Sequence, residues 1–87
     1  MTVSRLADGA IALDGDCSIE DAEPLLQLLL ADPDAALDWT SCEQAHTAVL
    51  QVVLAATPRL IGPPRGAFLR DHVAAALARI GRERANA

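Results

Sequence analysis

Two short strand-like runs open the chain. Residues 2–6 alternate branched or apolar residues with polar ones, residues 10–14 resume an apolar strand pattern, and Ala7-Asp8-Gly9 lies between them. Period-two alternation is typical of strands with one buried face, and Asp-Gly favours a tight turn. The pattern predicts a β-hairpin whose second strand is broken by Gly15 and Asp16.

The next segment carries the signals of a helix start. Ser18 is followed three residues later by Asp21, as in a capping box, and an apolar run extends to about Ala31. Pro24 lacks an N–H and disturbs a helix interior, so we expect the first turn to be loose and the regular helix to begin near Glu23. Residues 32–34 then end the helix.

A short buried strand is predicted over residues 35–39, followed by a second helix through Thr57. The helix has an apolar stripe at spacings of three and four, formed by Ala45, Ala48, Val49, Val52, Val53 and Ala56. Its start has two interpretations. Either Thr47 lies at the helix entrance, or Ser41 to Gln44 form a capping box that leaves Thr47 in the middle of the helix.

After Pro58, residues 59–62 have room for one short strand, and residues 63–66 form a rigid connection. A last helix from about Ala67 has an apolar face, which comprises Leu69, Val73, Ala76, Leu77 and Ile80. Gly81 is placed to end it, and residues 83–87 are expected to fray. The order is β-β-α-β-α-β-α, which predicts an α/β domain over residues 1–87 with its core at about 3–80. A mixed four-stranded sheet with helices mostly on one face is expected.

Composition narrows the function classes. The chain has 87 residues, 52% of them hydrophobic, and a formal net charge of −5. Arg5 is the only Lys or Arg before Arg59, so the clustered cations that bind nucleic acid are missing from the first half. Two cysteines, Cys17 and Cys42, are expected to be free thiols of a cytoplasmic protein. No apolar run approaches the roughly 20 residues that span a bilayer, so membrane insertion is not expected.

With this element order, the chain resembles the STAS family, the fold of anti-sigma-factor antagonists and of sulfate-transporter cytoplasmic domains. Leu37-Asp38-Trp39 resembles the family's strand motif, and Leu13-Asp14-Gly15 its entry to the first helix. Without a gap, Thr47 takes the position of the phosphorylatable serine. The two departures are His46, where the family has an acid, and Val49, where it has glycine.

The resemblance implies a non-catalytic signalling domain. No cofactor is expected, because the sequence has no phosphate-loop motif. The domain's partner would be an anti-sigma factor of the serine-kinase type, and Thr47 would be the phosphorylated residue of a partner-switching scheme. The partner-binding residues it implies are Asp38, His46, Thr47, Leu50 and Gln51. The alternative is a constitutive subunit of a membrane-transport ATPase complex, a role that relatives of this fold also serve.

Single residues leave further alternatives open. His46 could act in phosphotransfer, and Cys42 and His46 are four residues apart, a spacing that could place two metal ligands on one helical face. Neither has a confirming second pair, so we expect no metal site. Trp39 could anchor a partner or seal the sheet against a helix, and the core position is the expected one.

Overall fold

The computed structural model describes residues 2–85, with side chains described for residues 2–79. Strands and helices alternate after an initial pair of strands. In chain order the elements are β1 (Val3–Arg5), β2 (Ile11–Cys17), a 3₁₀ turn (Ile19–Asp21), α1 (Ala22–Ala31), β3 (Leu37–Ala45), α2 (Thr47–Ala56), β4 (Leu60–Ile61), a π-helical turn (Leu69–Val73) and α3 (Ala74–Ala85).

The four strands form one mixed sheet in the order β1-β2-β3-β4. β1 pairs antiparallel with β2, whereas β2 with β3 and β3 with β4 are parallel pairs. The parallel pairs need crossovers, which α1 and α2 supply. Because right-handed crossovers in the same direction place their helices on the same side, one sheet face is covered. The predicted α/β class, element order and four-stranded mixed sheet are confirmed.

The hairpin forms as predicted, but its second strand is longer. Ala10 N–H donates to the Asp8 carboxylate at 3.0 Å, and Gly9 adopts a φ of 92° in the turn. β2 continues to Cys17 instead of ending at Gly15, which has a φ of 71°. The register against β3 shifts on both sides of Gly15, so the strand accommodates the left-handed residue as an irregularity. The predicted break was therefore wrong.

The first helix starts close to its predicted position. Ser18 N–H donates to the Asp21 carboxylate at 2.7 Å, which is one arm of the expected capping box, and the intervening residues form the 3₁₀ turn. Pro24 is the third residue of α1, where the missing N–H costs no helical hydrogen bond. Leu25 and Leu29 point into the core.

The core lies between the covered sheet face and the helices. Its buried members include residues from β1, β2 and β3, both crossover helices and the π-helical turn; they are Val3, Ile11, Leu13, Cys17, Leu25, Leu29, Ala35, Leu37, Trp39, Cys42, Val49, Val53 and Leu69. Trp39 is 2% exposed, which confirms the core position. On the other sheet face, Asp14 and Thr40 are exposed.

Two element ends differ from the prediction. β3 runs on from Trp39 to Ala45, so the strand is nearly twice as long as expected. The last helix passes through Gly81 to Ala85, since a glycine within a helix costs only about 1 kcal/mol relative to alanine. Of the predicted frayed tail, residues 83–85 are helical, and residues 86–87 lie outside the described part of the chain, as does the side chain of Ile80.

Candidate protein-interaction surface

The entrance of α2 is built by His46. Its backbone is extended, with φ −61° and ψ 150°, and its Nδ1 accepts the Ala48 N–H at 3.0 Å. The His46 carbonyl accepts the N–H groups of Val49 and Leu50 at 2.9 and 3.2 Å. His46 is therefore the N-cap, and Thr47 is the first residue of the helix.

This start decides between the two interpretations of the sequence. Ser41 to Gln44 belong to β3 and pair with β2, so they do not form a capping box. His46 N–H donates to the Cys17 carbonyl at 2.8 Å, which ties the helix entrance to the end of β2. The interpretation that placed Thr47 in the middle of the helix was wrong.

Four of the five predicted partner-binding residues lie together on the first two turns of α2. His46, Thr47 and Gln51 are exposed, and Leu50 is half-buried. They stand where β2 and β3 end, because α2 follows directly from the end of β3. We call His46, Thr47, Leu50 and Gln51 the α2-entrance surface.

Asp38 lies elsewhere. It is the second residue of β3 and pairs with Ile61, so about seven residues of strand, roughly 23 Å at 3.3 Å per residue, separate it from Ala45. Its carboxylate accepts both the Thr40 N–H at 3.0 Å and the Thr40 hydroxyl at 2.6 Å. These two hydrogen bonds stabilise the charged form and lower the pKa of Asp38. The structure does not bring Asp38 into the α2-entrance surface.

A groove adjoins the α2-entrance surface on the side of the last helix. It has a volume of about 380 Å³ and is lined by Glu43, Gln44, Ala45, Leu50, Gly66, Ala67, Phe68 and Leu69. Phe68 is 69% exposed. Phe68 was not among the site residues predicted from the sequence. It could have been found from its position, because it is an apolar residue that precedes Leu69 and falls outside the apolar face of that helix.

Gly66 allows the groove to close against β3. Its N–H donates to the Cys42 carbonyl at 3.0 Å, and a side chain at this position would overlap the Glu43 carbonyl oxygen. Only glycine therefore permits this approach. Phe68, two residues after Gly66, lines the same groove as Leu50.

No match was found for the chain among protein-family models, curated proteins or solved structures.

The two cysteines lie beneath this surface as free thiols. Both are buried in the core. Hydrogen bonding from the Cys42 thiol lowers the pKa of Cys17, whereas the same contact and burial raise the pKa of Cys42. Because both residues are buried, the lowered pKa of Cys17 does not make it an exposed nucleophile.

The structure bears on a metal site at Cys42 and His46 and on membrane-spanning helices. Cys42 is buried in β3 and His46 is exposed at the helix cap, so the two do not share a helical face. In the part of the chain that the structure describes, no group of three or more His, Cys, Asp or Glu side chains is arranged to hold a metal ion. Among residues 2–85, no helix is both long and apolar enough to cross a bilayer.

Proposed function

We propose that the chain is a non-catalytic protein-interaction domain of the STAS type, similar to anti-sigma-factor antagonists, and that it binds its partner through the α2-entrance surface. The observation that carries this proposal is the clustering of His46, Thr47, Leu50 and Gln51 at one end of the sheet. The mixed four-stranded sheet with two crossover helices supports the STAS-type assignment.

His46 accounts for one departure from the family's motif. In the resemblance it occupies the position of an acid, and here its Nδ1 caps α2 by accepting the Ala48 N–H at 3.0 Å. A carboxylate oxygen can make the same hydrogen bond, since aspartate is among the preferred N-cap residues. The replacement therefore retains an acceptor at the helix entrance.

Regulation at Thr47 follows from its place in the helix. Thr47 is exposed at the first helical position, where a phosphate would meet backbone N–H groups and the positive end of the helix dipole. The phosphate would add about −1.5 to −2 charge at the centre of the surface. In this proposal, a serine-kinase-type partner phosphorylates Thr47 and its affinity then falls.

Site-specific photocrosslinking tests the location of the surface. A benzophenone amino acid is placed at Gln51 and, as the matched control, at Asp34, which is exposed in the loop that leads to the other end of β3. Crosslinking is carried out in cells, and the products are identified by mass spectrometry. We expect a single major protein product from position 51 and not from position 34. Equal products from both positions would refute the docking surface.

The identity of the protein crosslinked at position 51 distinguishes the two proposed classes of partner. A kinase supports the partner-switching function, whereas a transport ATPase supports the constitutive-subunit alternative. With a purified kinase, intact-mass measurement should show one added phosphate on the wild type and none on Thr47→Ala. A phosphate retained on Thr47→Ala would eliminate Thr47 as the acceptor without affecting the docking surface.

A further inference from the structure

Two exposed apolar side chains border the α2-entrance surface. Of the five exposed large hydrophobic residues in the described part of the chain, Ile19 is 59% and Phe68 is 69% exposed. Ile19 begins the 3₁₀ turn, which contacts α2 from the α1 side. Phe68 lines the groove beside Leu50 from the α3 side. The first turns of α2 thus lie between two exposed apolar residues.

The Phe68 side chain has one aromatic neighbour among the described residues. The His72 ring lies beside it with the ring centroids 5.3 Å apart and the planes tilted by 41°. Leu50, Ala45 and Leu69 supply the apolar walls of the adjoining groove. A groove of about 380 Å³ that includes an exposed aromatic ring suits a large apolar side chain of a partner.

The charge around this surface is uneven. On the α1 side, Glu20 and Glu23 are exposed, and the sequence has no Lys or Arg between Arg5 and Arg59. Neither carboxylate is in an ion pair with a described residue. The α1 side is therefore negative and uncompensated.

On the α3 side the carboxylates are neutralised. Arg65 lies 3.5 Å from the Glu43 carboxylate, and Arg70 lies 3.3 Å from that of Asp71. The surface therefore has an acidic side and a charge-balanced apolar side, and this polarity defines an orientation for a partner.

We propose that the partner is a protein that inserts a large apolar side chain beside Phe68 and places Lys or Arg residues over Glu20 and Glu23. This inference rests on the proposed function, because it specifies the partner of the same surface. Complementary charge at the edge of an interface speeds association and fixes its orientation, while a buried apolar anchor supplies most of the affinity.

The test uses a defined probe, namely random peptides displayed on phage and selected on the wild-type protein. We expect the selected peptides to combine a large apolar residue with several Lys or Arg. One selected peptide is then synthesised, and its affinity is measured by fluorescence anisotropy at low and high salt. The variants are Glu20→Lys/Glu23→Lys, Phe68→Ser, Gln51→Arg and, as the charge control, Asp34→Lys.

The double charge reversal should weaken binding about tenfold at low salt and less at high salt, because exposed charges are screened. Phe68→Ser should weaken binding at both salt concentrations, and Asp34→Lys should leave it unchanged. Selected peptides without basic residues, or an unchanged affinity in the double variant, would overturn the inference. If the inference about the partner's chemistry fails but Gln51→Arg abolishes binding, the α2-entrance surface remains the docking surface. If only Asp34→Lys affects binding, both the docking surface and the inference are refuted.

Discussion

Replacement of His46 by alanine isolates the cap of α2. The side chain is exposed, so truncation removes little packing, and the main loss is the Nδ1 acceptor of the Ala48 N–H. Loss of an N-cap acceptor costs about 1 kcal/mol. In a domain of this size, that change corresponds to a fall of about 4–8 °C in Tm. Asparagine, a preferred N-cap residue, should restore the stability.

The chain contains its own probe for this measurement. Trp39 is the only tryptophan and is 2% exposed, so its fluorescence reports global unfolding in urea. We expect the free energy of unfolding to rank His46→Asn at or above wild type, and His46→Ala about 1 kcal/mol below. If His46→Asn were as unstable as His46→Ala, or if alanine cost nothing, the assignment of His46 as a stabilising cap would be refuted.

Three further predictions address packing and charge. Gly66→Ala should destabilise the fold by about 3 kcal/mol in urea unfolding, because the new Cβ would clash with the Glu43 carbonyl. Leu25→Ala, at a fully buried position, should cost about 3 kcal/mol in the same assay. Thr40→Val should raise the pKa of Asp38, measured by NMR titration of its carboxyl carbon, since the variant lacks the hydroxyl donor. The pKa of Asp38 is lower in the native state than in the unfolded state, so its hydrogen-bonded carboxylate stabilises the wild-type fold near neutral pH. That stabilisation is lost as the pH falls through the native pKa.

The helices were predictable because their apolar positions repeat at spacings of three and four, and the hairpin because Asp8-Gly9 separates two strand-like runs. β3 was not, since its buried residues Trp39 and Cys42 are three positions apart, as β2 and β3 shift register along this stretch. The buried residues of β3 therefore do not follow a period of two between Trp39 and Cys42. Ser41 and Gln44, which lie outside the core, gave a false capping-box signal.

The candidate site was predictable in part. Thr47 was located from the family position, and the structure confirms that it starts α2. Phe68 and Ile19 were missed because the prediction of exposed residues relied on polar side chains outside the apolar stripes. Both residues are exposed although they are apolar. Asp38 was included through a motif that the fold places at the far end of β3.

Binding to the purified crosslinked partner shows whether the α2-entrance surface is the docking site. Isothermal titration should compare wild type with Gln51→Arg and Asp34→Arg, two exposed positions that receive the same side chain at different places in the fold. We expect Gln51→Arg to weaken binding at least about tenfold and Asp34→Arg to stay within about twofold of wild type. Unchanged affinity for Gln51→Arg, with a loss for Asp34→Arg, would rule out docking at this surface.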